Sequence, residues 1–261
     1  MAGWRVGVST VHQLRRRVRE RLAGEGRLTG TFVKLACPDV VELAAGSGLD
    51  LVVVDLEHST LTEQDALGLV RHAALCGIPA LVRLPVVDAP LVARLLENGA
   101  AGFQLSTLQS VAEREHLQAA CRFAPVGTRS VSLANRAASF GAIPLADFLR
   151  TEDADPPLLV GQIETPVAEP LADVVRGLDV AFVGTTDLAV SLGLPAPDDL
   201  AAAVSSVRVA AEQAGVAFGG WVPGLAEVDR LGLGAASYVV VGSDLQLLAH
   251  GLRAVISKED A

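Results

Sequence analysis

The sequence predicts an α/β fold, a single (β/α)8 TIM barrel spanning residues 1–261. Three observations carry this reading. Eight short Val- and Leu-rich runs recur along the chain, amphipathic or Ala-rich stretches separate most of them, and 261 residues suit one such barrel. Nearly continuous apolar runs point to strands buried on both faces, as in parallel sheets. An open doubly wound sheet rarely needs eight strands.

The elements follow in order. A basic stretch comes first, in which Arg15, Arg16, Arg17, Arg19 and Arg21 interleave with Leu14, Val18 and Leu22. It reads as an N-terminal helix with a solvated basic face, or as an anion patch. Strand one covers 30–35, and the helix over 38–48 opens on Pro38 and ends on Gly48. Strand two covers 50–58, followed by a helix over 59–77 with Thr60 and Thr62 as capping candidates. Strand three (79–85) precedes a helix over 88–99, and strand four (102–106) a helix over 110–122. About fifty residues then separate Ser106 from Leu158, a connection long enough to predict a functional loop. Strands five to eight fall at 158–164, 179–185, 216–221 and 237–242, with further helices over 198–215, 224–234 and 244–257. No linker, low-complexity tract or internal repeat divides the chain.

Composition narrows the function classes. The chain is 51% apolar with only 4% aromatics, and its mean hydropathy is +0.42. No window of about 18 residues is free of charge, so no spanning helix and no membrane partner are expected. The N-terminus lacks an apolar core followed by a small-residue cleavage site, which predicts a cytoplasmic protein. A net charge of −9 opposes nucleic-acid binding. Cys37, Cys76 and Cys121 are sparse and form no CxxC pair, which suggests a reducing compartment. Apolar helix stretches at 201–209 and 245–255 exceed what a monomer's outer ring requires and predict a subunit interface.

Active sites of such barrels sit at the C-terminal ends of the strands. There strand two ends in Asp55, Glu57 and His58, strand three in Arg83, strand five in Gln162 and Glu164, and strand six runs into Asp187. Glu164 and Asp187 read as oxygen ligands for Mg²⁺, Mn²⁺ or a similar divalent ion, or each as a cap of the helix that follows. His58 reads as a general base or as a satisfied strand-end histidine, with Asp55 orienting it or Arg83. Arg83 reads as a carboxylate or oxyanion clamp, or as an ion-pair partner of Glu57 or Asp55. Lys34 is the one lysine ending a barrel strand and so the one Schiff-base candidate. There is no GxGxxG after the first strand, no Walker sequence, no HExxH and no GxSxG.

The segments GTFVKLACPDVVELAAGSGLDLVVVDLEHS, PALVRLP, LLVGQIET and GTTDLAVSLG, in this order, resemble the HpcH/HpaI aldolase/citrate lyase family. The resemblance spans about residues 30–252 and rests most on the D-x-E-H and Q-I-E-T segments. It implies a metal-dependent, class II pyruvate aldolase, an aldehyde-lyase that cleaves or forms 4-hydroxy-2-oxo acids through a pyruvate enolate. It implies a divalent metal at Glu164 and Asp187, Mg²⁺ or Mn²⁺ with Co²⁺ as a further candidate. Arg83 would then steady the enolate oxygen, His58 and Asp55 would form an acid–base dyad, and Gln162 would contact substrate or support the metal ligands. Partners would be a 2-oxo acid and an aldehyde. The assembly would be a homo-oligomer, a trimer or a hexamer, with the last helix packed on a neighbour.

The chain departs from the family pattern at two substrate-facing places. Gly184-Thr185-Thr186 stands where the family has G-P-A ahead of the aspartate, at amides that receive the substrate carboxylate, and Ser106-Thr107 stands where a P-M pair is usual. Gly184, Thr185, Thr186 and Ser106 are accordingly the substrate-binding candidates, and a specialised acceptor is expected. Three alternatives remain: a citrate-lyase-β-like enzyme acting on a CoA thioester, for which the long connection offers Arg129, Arg136 and Arg150, an oxaloacetate decarboxylase, and a non-catalytic binding or assembly protein on a barrel scaffold, for which the Thr185-Thr186 and Ser106-Thr107 departures speak.

Overall fold

The computed structural model describes residues 10–256. Residues 1–9, where the N-terminal stretch begins, and 257–261, including the expected end of the last helix, lie outside the described residues. Eight parallel strands close into a barrel in chain order: β1 (Leu28–Val33), β2 (Leu51–Asp55), β3 (Ala80–Leu84), β4 (Gly102–Leu105), β5 (Leu158–Ile163), β6 (Val180–Val183), β7 (Ala217–Val222) and β8 (Tyr238–Ser243). Each of the eight apolar runs supplies one strand. The (β/α)8 barrel is therefore the fold.

The helices are α1 (Val11–Ala23), α2 (Pro38–Gly46), α3 (Glu63–Cys76), α4 (Ala89–Glu97), α5 (Val111–Cys121), α6 (Leu145–Ala154), α7 (Leu171–Val175), α8 (Thr185–Ser191), α9 (Pro197–Ala214) and α10 (Asp244–Ile256). Local chemistry sets their ends. Thr62 and Asp65 form a reciprocal capping box at the start of α3, and Gly77 ends it in the left-handed conformation with φ of +71°. Three helices escape the sequence pattern: α6 inside the long connection, and the short α7 and α8. Conversely, the helix expected over 224–234 is a single 3-10 turn at Leu225–Glu227, because Gly232, at φ of +72°, turns the chain out of a helical path.

Two apolar layers hold the barrel. The inner one includes Phe32, Leu51, Val53, Leu81, Val160 and Phe182, with Phe182 set edge-on to Tyr238 at 6.0 Å. The outer one, built on residues such as Val52, Val54, Val82, Leu95 and Ala211, joins the sheet to the helices. Part of the supposed interface surplus belongs here, since Val204 and Val207 of α9 are buried in the chain's own core. By contrast α10 buries only Asp244, and leaves Leu248, Leu252 and Ile256 more than half exposed. Among the described residues no helix is long and apolar enough to cross a membrane.

The basic cluster on α1 is a solvated face only in part: Arg16, Arg17 and Arg21 are exposed, whereas Arg15 is buried and Arg19 half-buried. The helix lies across the N-terminal ends of the strands and seals them. Val11 and Val18 join the inner core, and Arg15 is 0% exposed. The Arg15 guanidinium donates to the carbonyls of Ala100, Ala101 and Asp155 and to the Glu152 carboxylate. Arg129 Nη1 and His12 Nε2 reach the same carboxylate at 2.9 and 2.6 Å, and Arg19 pairs with Asp179 ahead of β6. The long connection is thus structural at this end, since its Arg129 is spent on Glu152, far from the mouth.

Burial pushes the Glu152 carboxyl up, but Arg15, His12 and Arg129 outweigh it and hold the group well below the ordinary carboxylate range. A depressed folded-state value means that this stabilisation is full above the unfolded carboxyl value of about 4.3. It is lost as acid carries the pH down toward the folded value. Arg15→Met, which unpairs buried groups, is expected to cost about 3 kcal/mol in urea unfolding at neutral pH. A loss below about 0.5 kcal/mol would contradict this account of the plug.

Candidate active site

The opposite end of the barrel carries a cavity of about 350 Å³. Phe32, Lys34, His58, Arg83, Gln162, Gly184, Thr185, Thr186, Asp187 and Trp221 are among the residues that line it. Polar side chains gather there because strand register places them at one level: Asp55 lies opposite Arg83, and Arg83 opposite Gln104.

Asp55, 0% exposed, is the hub of one side. Arg83 grips it with two parallel bonds, Nε to Oδ1 at 2.8 Å and Nη2 to Oδ2 at 2.5 Å. The backbone amides of Glu57 and His58 donate to Oδ1, and Lys34 Nζ stands 3.3 Å from Oδ2. Burial pushes the Asp55 carboxyl up, but the Arg83 hydrogen bonds and charge, helped by the two amides, hold it below its ordinary value. The third arginine nitrogen, Nη1, lies 3.2 Å from Glu57 Oε2, and the guanidinium sits 4.3 Å over the Phe32 ring. Ser106 Oγ donates to the same Glu57 oxygen at 2.5 Å.

Of the two orientations open to Asp55, the structure places its side chain on Arg83. Its contact with His58 is through the backbone amide, and the His58 imidazole is 59% exposed with Nε2 3.8 Å from Glu57 Oε2. His58 and Arg83 both face the cavity.

Glu164 anchors the other side. It is 5% exposed and caps no helix: α7 begins beyond Pro170 without a side-chain cap. Thr107 donates to Glu164 Oε1 through its amide at 2.7 Å and its hydroxyl at 2.5 Å, and Gln162 Nε2 donates to Oε2. Gln162 is steadied in turn by Gln104 Nε2, 2.7 Å from its Oε1. Thr107 achieves this double contact from the left-handed backbone region, at φ of +48°, a conformation costly for a β-branched residue. Asp187 lies in the first turn of α8, exposed on the cavity wall, and Gly184 holds the cap position without any side-chain cap.

Gly184 also explains itself sterically. A Cβ there would stand 2.7 Å from Glu164 Oε2 and 3.1 Å from Gln162 Nε2, so only glycine lets β6 close against β5 at this level. Thr185 is buried, Thr186 is exposed, and both line the cavity. Gln104 and the supporting role of Thr107 emerge only from the structure. An amide in the middle of the otherwise apolar β4 was the available signal for the first.

The donor set on this second side suits a hard divalent cation. Glu164 is a buried carboxylate met only by neutral donors, and neither it nor Asp187 makes an ion pair among the described residues. A buried charge of that kind is expensive unless a cation completes it. Both cations of the cavity wall, Arg83 and Lys34, are committed to Asp55 and Glu57.

The model of the HpcH/HpaI aldolase/citrate lyase family matches residues 28–251. The chain belongs to that family. It is 30% identical over 259 residues to a pyruvate aldolase from Rhizobium etli, covering 95% of this chain and 97% of that one. It is 32% identical over 263 residues to a 4-hydroxy-2-oxovalerate aldolase from Rhodococcus jostii, covering 92% and 94%. The crystal structure of a family member from Burkholderia cenocepacia superposes with a TM-score of 0.85 at 27% identity, covering 94% of this chain and 99% of that one. These relatives support a lyase of the aldolase type acting in pyruvate chemistry.

The steric account of Gly184 is testable on stability alone. Gly184→Ala should destabilise the chain by about 1–3 kcal/mol in urea unfolding as Glu164 is displaced. Gly68→Ala, in α3 where no atom lies within 4 Å of the added carbon, should be neutral or stabilising. Equal effects of the two would refute it.

Proposed function

We propose that this single-domain barrel is a metal-dependent class II pyruvate aldolase, cleaving or forming 4-hydroxy-2-oxo acids at the cavity between Arg83 and Glu164. The observation that carries the reading is Glu164 itself, a buried carboxylate satisfied only by neutral donors and set directly behind Gln162 and Gly184, which line the same cavity as Asp187 and Arg83. Glu164 and Asp187 would hold the cation, Mg²⁺ or Mn²⁺ with Co²⁺ as a further candidate. When bound, it supplies Lewis acidity at the keto group of the 2-oxo acid.

The chain's own groups account for the rest of the chemistry. Breaking the bond between C3 and C4 leaves an electron pair on pyruvate as an enolate. Arg83, fixed by Asp55 and Glu57 with N–H groups still free to face the cavity, offers preorganised positive charge to that oxygen. The His58 ring takes the proton of the 4-hydroxyl, and Glu57, 3.8 Å away, favours the charge so formed. Gln162, itself on the cavity wall, holds Glu164 in place by its hydrogen bond. Gly184, Thr185 and Thr186 meet the substrate carboxylate at the β6 end, and Ser106 acts through Glu57.

The CoA-thioester alternative finds little support. Arg129 is bound to Glu152, Arg150 to Asp147, and Arg136 lines a separate hollow with Thr10 and His12. None of the three lines the mouth cavity. An oxaloacetate decarboxylase would use the same enolate stabilisation, so substrate profiling decides between it and the aldolase.

We also propose that the bare apolar face of α10 packs on a second copy in a homo-oligomer. Leu252→Asp should lower the mass measured by sedimentation while leaving the barrel's circular dichroism intact. An unchanged mass would remove the proposal.

For the reaction, pyruvate released from a 4-hydroxy-2-oxo acid should depend on added divalent cation. It should disappear on exhaustive chelation and fall by at least about 10²-fold in Glu164→Gln. Activity that survives chelation, with borohydride trapping substrate on Lys34, would replace the metal reading by a Schiff-base one.

A further inference from the structure

A second group of ligating side chains lies on the outer wall of the barrel, clear of the mouth. We propose that Glu42, His72 and Cys76 form a surface site for a borderline-soft divalent cation of the Zn²⁺ class. His72 and Cys76 are one turn apart on α3, at i and i+4, so their side chains share a face. Glu42 reaches them from the neighbouring α2, with Oε1 2.8 Å from His72 Nε2. One ligand atom from each residue lies within 4.8 Å of the others. Tetrahedral Zn²⁺, with bonds of about 2.0–2.3 Å, holds its ligands about 3.3–3.8 Å apart, so the three ligand atoms need to close by about 1 Å.

Several features favour a cation over an ordinary ion pair. The two helices are fixed by buried Val41, Ala44, Val70 and Ala73, which presets the spacing of the three ligands. The Cys76 thiol makes no hydrogen bond among the described residues, whereas the Cys37 thiol donates to Asp39. On binding, the S–H bond breaks and its proton goes to solvent, the Nε2–H···Oε1 bond between His72 and Glu42 opens as the ring proton moves to Nδ1, and the thiolate, the Nε2 lone pair and a Glu42 oxygen become donors. Water fills the fourth position. A thiolate and an imidazole select Zn²⁺ or Co²⁺ over Mg²⁺, whereas the donors around Glu164 are oxygen and suit Mg²⁺ or Mn²⁺.

That contrast supplies the test. The full chain is titrated with Co²⁺ as a spectroscopic stand-in for Zn²⁺. The site predicts a sulfur-to-cobalt charge-transfer band in the near ultraviolet, saturating at about one equivalent and abolished by Zn²⁺. Cys76→Ser should erase the band, and Glu164→Gln should keep it, since an all-oxygen site gives no sulfur band. Zn²⁺ should raise the Tm of Glu164→Gln, in which the mouth carboxylate is removed, but not of Glu164→Gln combined with Cys76→Ser, and adding His72→Ala to Glu164→Gln should weaken Zn²⁺ affinity in a chelator competition by at least about tenfold. Metal-free melting of each variant confirms that it folds. No sulfur band in the parent, or a band that survives Cys76→Ser and is lost in Cys37→Ser, would overturn the proposal.

Discussion

Asp55 and Arg83 meet across the β2–β3 register, almost wholly out of water. Taking both charges from solvent costs several kcal/mol each, and two short parallel bonds, two backbone amides and a nearby lysine are what offset it. Because those bonds fix the guanidinium, they also fix where Glu57, Ser106 and Lys34 stand. Removing either partner would strand the other and release the whole β2–β3 side of the mouth. This pair is therefore both a structural tie and the means by which positive charge is held ready at the cavity.

The second side of the mouth is built by the opposite device. Glu164 receives hydrogen bonds from Thr107 and Gln162, none of which carries charge, and the positive φ of Thr107 aims an amide and a hydroxyl at one carboxylate oxygen. Gly184 then lets β6 come close enough to wall the carboxylate in. One side of the cavity is charge-matched within the protein and the other is left negative. That asymmetry is the electrostatic pattern expected of a site that takes a divalent cation and an anionic 2-oxo acid together.

Much of this was legible in the sequence, for identifiable reasons. Parallel strands buried on both faces must be apolar along their whole length, so runs such as LVVVD and PALVRL betray the barrel, and polar residues at their ends betray the mouth. Capped helices were equally readable, as with Thr62 and Asp65 of α3. The rest depends on where non-adjacent segments meet. Nothing local tells that Arg15 plugs the strand starts by reaching Glu152, that α6 lies within a polar stretch, or that the Asp55 carboxylate takes the Arg83 side chain but only the backbone amide of His58. The Ser106-Thr107 departure was visible as a change of residue type. Its consequence, two hydroxyls turned onto Glu57 and Glu164, required the stagger between β4, β2 and β5.

The two ends of the barrel thus divide the work. The plug at the strand starts spends its buried charges on stability, and the mouth, on the function proposed, leaves one buried carboxylate for a cation from solution to complete. Calorimetric titration of oxalate, a stable mimic of the pyruvate enolate, tests that central claim most directly. Binding should appear only with Mg²⁺ or Mn²⁺ present and should vanish in Glu164→Gln. Oxalate binding of equal strength with and without a divalent cation, or unchanged in that variant, would contradict it.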